Sequence, residues 1–160
     1  MTRWFRLQAA LWFGLALASV TAFAAHDADD VYSFDDSPRA EPLVYPDWFK
    51  KSFFYLGDDL KDALDAGKEG LIVYFGQRRC AYCHKLMEVN FGLTDIVEYT
   101  QRHFDVVPID IWGVAEVTTL GGEVMTEREF SLENQTNFTP SLLFYDRDGK
   151  EALRLRGYYP

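Results

Sequence analysis

The sequence is poor in side chains that bind soft metals, with two cysteines, three histidines and three methionines among 160 residues. A zinc site as a rule takes four ligands. Beyond the cysteine pair only His26, His84 and His103 could contribute, and these lie in an acidic stretch, beside the cysteines and at the end of an expected helix. No metal is expected. Positive charge is also short, with 16 Lys and Arg against 25 Asp and Glu and a net charge of −9. That deficit excludes nucleic acid and an anionic membrane surface as natural partners. Long apolar runs are missing too. An uninterrupted membrane span takes about 20 apolar residues, and the run from Ala9 to Val20 stops short of that. No internal repeat is present.

That run instead reads as part of a secretory leader. Arg3 and Arg6 precede it, and Ala22-Phe23-Ala24 follows as a small-x-small cleavage site. Cleavage after Ala24 removes two basic residues and no acids, leaving 14 basic against 25 acidic side chains, a net charge of −11. Export places the cysteines on the oxidising side of a membrane, where a pair three residues apart is expected to bond to itself.

Residues 25–46 are acidic, carry Ser37 and Pro38, and show no sustained period, as in a solvated linker. From Asp47 the composition supports one compact domain, since hydrophobic residues make up 48% of the chain and aromatics 16%. Trp48, Phe49, Phe53 and Phe54 open it. Leu60, Ala63 and Leu64 then recur at helical spacing, with Gly67 and Gly70 closing the helix. Leu71-Ile72-Val73-Tyr74-Phe75 is a continuous apolar run, the pattern of a strand buried on both faces. A second helix follows Cys80, a third spans Ile96 to Arg102 behind a Thr94-Asp95 cap, and Phe104 to Asp110 is a strand that Pro108 assigns to an edge or an irregular pairing.

Leu120-Gly121-Gly122-Glu123 marks a small hairpin, and Thr126-Glu127-Arg128-Glu129 has the capping-box pattern of a short helix. Asp146-Arg147-Asp148-Gly149 joins two last strands, Ser141 to Tyr145 and Glu151 to Arg156.

The chemistry centres on Arg78-Arg79-Cys80-Ala81-Tyr82-Cys83-His84. CxxC describes a redox dithiol, and CxxCH describes a c-type haem attachment site. In the first reading Cys80 caps a helix whose unpaired N–H groups and partial positive charge stabilise its thiolate, and Cys83 lies one turn inward as the resolving thiol. In the second, His84 is the proximal ligand and Met87 or Met125 the distal one. Small cytochromes c are mostly helical, and the strand run ending five residues before Cys80 disfavours haem. A purely structural bridge is also disfavoured, because so short a loop contributes only about 2 kcal/mol by loop-closure entropy.

GLIVYFGQRRCAYCHKLMEVNF followed by NFTPSLLFYDRDGKEALRLRGYYP resembles the thioredoxin superfamily over residues 47–160. Within it the chain is similar to the exported thioredoxins of bacterial sulfur-oxidation systems. The resemblance implies an α/β fold with a central mixed sheet flanked by helices. It implies a periplasmic thiol:disulfide oxidoreductase without a cofactor, reducing protein disulfides and re-reduced by a membrane electron donor.

Cys80 and Cys83 are then the catalytic pair. Pro140 is cis, and Thr139, Pro140 and Tyr82 bind substrate, while Arg79 and His84 tune the thiols. Two departures stand out. Many thioredoxins place a buried acid six residues before the first cysteine, where this chain has Tyr74, leaving Glu88 or water to take the resolving thiol's proton. The family's closing helix has no counterpart after Tyr158-Tyr159-Pro160. The expectation is a fragment, or a sheet face covered instead by the aromatic segment from Trp48 to Leu56.

Overall fold

A computed structural model describes residues 34–159. The expected leader and the start of the acidic segment lie outside the described residues. Helix α1 spans Leu56–Asp65, strand β1 Gly70–Gly76, helix α2 Ala81–Glu88, helix α3 Thr94–His103 and strand β2 Phe104–Asp110. A short hairpin of β3 (Glu116–Thr118) and β4 (Val124–Thr126) leads into α4 (Glu127–Glu133), and β5 (Ser141–Tyr145) and β6 (Glu151–Arg156) end the order.

The main sheet runs β2-β1-β5-β6, with β1 parallel to β2 and the other pairs antiparallel. Every residue of β1 is buried, because alternate side chains feed two cores. Leu71, Val73 and Phe75 join Leu56 and Leu60 of α1 and Phe130 of α4 on one face. Ile72 and Tyr74 join Phe49 and Leu86 of α2 on the other.

The expected boundaries of β2, β5 and β6 and the edge placement of β2 match the structure. So does the capping box, in which Thr126 and Glu129 satisfy each other's backbone N–H groups. Two boundaries in the N-terminal half differ, at Gly70 and at Thr94. Before them the aromatic opening is irregular: Ser52 Oγ accepts from Phe54 N at 2.6 Å and donates to the buried Asp59 carboxylate, and Phe54 takes a φ of 64°. Helix α1 therefore starts only at Leu56. Gly67, at φ 81°, ends it, but Gly70 belongs to β1, where an added Cβ would lie 2.0 Å from the Tyr145 carbonyl oxygen. Gly70→Ala should cost about 1–3 kcal/mol, since a backbone atom must move, as a denaturant midpoint would show. Helix α3 begins at Thr94 itself, and no side chain caps it.

Residues 39–46 differ as well. They are not a solvated tether: Arg39 N donates to Arg79 O at 3.1 Å and Leu43 N to Arg78 O at 2.7 Å. Leu43 and Tyr45 pack on the Tyr74 core, with the Tyr45 ring 5.6 Å from that of Tyr74. Their apolar side chains, C-terminal to most of the acids, have a surface to bury against. Phe49 and Trp48 cover the same end of this face. Toward its other end lies an apolar recess of about 300 Å³ between Ile72, Phe91, Phe104, Phe144 and Leu155.

Burial of phenols sets the alkaline behaviour. Tyr145 is pushed up to about 12, chiefly by burial and then by Glu151, and Tyr74 is raised well above 10 by burial and the neighbouring Tyr45. Below pH 10 these phenols are protonated in both states, so their contribution to stability is complete. Above it the unfolded chain loses protons that the folded chain retains, so stability falls as pH rises. Unfolding followed between pH 9 and 12 should show that decline.

Candidate active site

Strand β1 ends at Gly76, and three loop residues carry the chain to Cys80, the N-cap of α2. Cys80 has extended backbone angles, and its Sγ accepts from Cys83 N at 3.0 Å. This donor is one of the N–H groups that a helix start leaves without an intrahelical partner. Cys80 and Cys83 form a disulfide with their Cα atoms 5.1 Å apart.

The two sulfurs are not equivalent. Cys83 is wholly buried on the inner side of α2, while Cys80 is 8% exposed at its tip. A helix N-cap would leave the Cys80 sulfur in the open, but here Thr139 lies over it. Thr139 Oγ1 donates to Cys80 Sγ at 3.4 Å, and Thr139 O lies 3.5 Å from the same sulfur.

Sheet pairing creates that contact. Phe75 on β1 faces Ser141 on β5, so the residues just before Ser141 lie beside the residues just after Phe75. Pro140 immediately precedes β5, and the Thr139–Pro140 peptide bond is cis. Segments 59 residues apart thereby meet at one sulfur.

The remaining sequence candidates spread around this point. Tyr82 is exposed on the first turn of α2. Arg79 is exposed, with its backbone carbonyl held by Arg39 N. His84, on the first turn of α2, is half-buried, and its Nε2 is buried with no partner among the described residues. Glu88 ends α2 and is exposed. It follows Cys83 by five residues, which places it about 7.5 Å along the axis and well around the helix from the inner face, so it does not serve that thiol. Tyr74 is fully buried with a neutral phenol at ordinary pH, and its hydroxyl finds no partner among the described residues.

The distal haem candidates separate. Met87 packs on the core beneath α2, and Met125 packs on the core across the sheet. Met125 and His84 therefore do not face a common space.

Two residues of the site were not singled out in the sequence. Gln77 Nε2 donates to Thr139 Oγ1 at 3.0 Å, and Trp112 Nε1 donates to Gln77 Oε1 at 2.9 Å. Trp112 is exposed, with the Arg128 guanidinium 5.6 Å from its ring centre. Behind it, Glu127 accepts from Asp110 N at 3.0 Å and from Ala115 N at 3.4 Å, and burial holds its carboxyl above the usual range.

Residues 56–160 match the family described as thioredoxin-like domain. The chain belongs to that family. Among solved structures it is similar to a thioredoxin-fold protein from Helicobacter pylori, at 21% identity and a TM-score of 0.55 over 71% of this chain and 70% of that one. It is also similar to a DsbH oxidoreductase, at 16% identity and a TM-score of 0.50 over 83% of this chain and 88% of that one. No curated protein matches the sequence. The solved structures support the thioredoxin fold. Family membership and the disulfide-bonded CxxC at a helix N-terminus together make the chain a thioredoxin-like thiol:disulfide oxidoreductase.

Proposed function

We propose that the chain reduces disulfides of protein partners in the periplasm, with Cys80 as nucleophile and Cys83 as resolving thiol. The observation that carries the assignment of roles is the burial difference between them. A partner sulfur can approach Cys80 beside Thr139, whereas Cys83 has no exposed surface.

In the dithiol form, the Cys80 thiolate attacks one sulfur of the partner disulfide, and the other partner sulfur leaves as a thiolate that takes up a proton. Cys83, deprotonated, then attacks Cys80 Sγ and expels the second partner thiolate. Two electrons and two protons pass to the partner, and the Cys80–Cys83 disulfide is regenerated. Backbone at Thr139 and the cis Pro140 receive the partner chain in extended pairing. Exposed Tyr82, Trp112 and Phe138 provide an apolar rim suited to a protein surface.

A membrane thiol donor returns the electrons. The leader-like N-terminus supports the compartment, and the similarity to exported thioredoxins of sulfur-oxidation systems supports a partner within such a system.

Equilibration against glutathione buffers tests the direction. A reductase should have a potential near that of thioredoxin, about −270 mV, and a value near the DsbA potential of about −120 mV would reverse the assignment.

A further inference from the structure

We infer that Gln77 is a positioning residue that fixes where the Thr139 hydroxyl proton points, and through it the acidity of Cys80. The inference rests on the nucleophile assignment above and concerns a residue that neither touches substrate nor bonds to sulfur.

The argument follows donors and acceptors from the outside inward. The indole N–H of Trp112 can only donate, so the group it meets at 2.9 Å must be the amide oxygen of Gln77. That fixes the amide orientation and turns its NH₂ toward Thr139. Gln77 Nε2 donates to Thr139 Oγ1 at 3.0 Å, occupying an acceptor position of the hydroxyl. The hydroxyl's single proton is thereby left for Cys80 Sγ, 3.4 Å away.

In the disulfide form that sulfur is a weak acceptor. Once the pair is reduced, the same proton faces a thiolate. A hydrogen bond to a charged group is roughly twice as strong as a neutral one. Gln77 thus favours the thiolate at one remove, and the chain Trp112–Gln77–Thr139–Cys80 is polar in one direction throughout. Stabilising the thiolate stabilises the reduced form, which makes the disulfide more oxidising.

Titration of the single thiol in reduced Cys83→Ala protein, by ultraviolet thiolate absorbance and by alkylation rate, reads this directly. Gln77→Leu should move the Cys80 titration up by about one pH unit, roughly a tenfold loss of thiolate at neutral pH. Gln77→Glu should move it at least as far, because a carboxylate accepts from both Trp112 and the Thr139 hydroxyl and draws that proton away from sulfur. Thr139→Val should raise the titration similarly, and adding Gln77→Leu to it should change nothing further.

Arg78, Arg79, His84 and the helix N-terminus are common to all these variants, so the differences isolate the amide. Gln77 is only half-buried in a loop, and unchanged thermal unfolding checks that the variants fold. An unmoved titration in Gln77→Leu and Gln77→Glu, or full additivity with Thr139→Val, overturns the inference. Neither result touches the proposed reaction, which stands or falls on disulfide turnover by the unaltered chain.

Discussion

Cys83→Ser protein, reduced and mixed with a disulfide-containing protein, accumulates as a covalent one-to-one adduct through Cys80. Cys80→Ser protein forms no adduct, and both variants lose multiple turnover to the uncatalysed background. The asymmetry follows from where each sulfur sits. Cys80 occupies the N-cap of α2, where Cys83 N already donates to its Sγ and the helix N-terminus favours negative charge. Cys83 is sealed against the core. Without a thiol at position 83, nothing within the chain attacks the mixed disulfide, so the first half-reaction proceeds and the second does not. Non-reducing electrophoresis with mass spectrometry of the linked peptides measures it. An adduct through Cys83 in the Cys80→Ser protein would invert the roles.

The second large effect is structural and falls on Tyr74. Its side chain is fully buried and meets the rings of Tyr45 at 5.6 Å and Phe49 at 6.0 Å, both edge-on. Tyr74→Ala removes a whole aromatic ring from beneath α2 and should cost about 3–5 kcal/mol, as for other buried aromatics. Against a typical domain stability of about 5–15 kcal/mol, that is a large share of the total. Tyr74→Phe should behave in the opposite manner. It removes a buried hydroxyl that has no partner among the described residues and keeps the ring contacts, so stability should be unchanged or higher. The same variant should lessen the loss of stability above pH 10, because Tyr74 no longer ionises on unfolding. Denaturant midpoints of the two variants check the contrast.

Tyr74 also shows what the sequence could reveal. Its place in β1, six residues before Cys80, was legible because a continuous apolar run bounded by glycine has few alternatives. The capping box at Thr126 and the Asp148-Gly149 turn were legible for the same reason, since each is decided by residues within four positions. Residues 39–55 were not. Residues 39–46 end the acidic stretch that reads as a solvated linker, the aromatics after them carry no backbone preference, and the path is set by long-range contacts, such as Lys50 N donating to Val106 O at 2.8 Å on the outer edge of β2.

The dithiol and the Thr139-Pro140 step lay in plain view, and the polar residues that link them did not. Gln77 and Trp112 are 35 residues apart and meet only because β1 and β2 run parallel and end together at Gly76 and Asp110. No local pattern marks either residue as part of the site.

Burial of His84 could not be read locally for a related reason. Helical spacing places it next to Cys83, but its exposure is decided by what packs against α2 from elsewhere in the chain.

The central claim is that the Cys80–Cys83 pair cycles during exchange with protein disulfides. Its most direct test is turnover of a disulfide-containing protein by the reduced chain, with excess dithiol as electron donor. The rate should be proportional to the amount of chain and vanish in Cys80→Ser. Background turnover by unaltered protein whose two thiols are shown to be free would contradict the account.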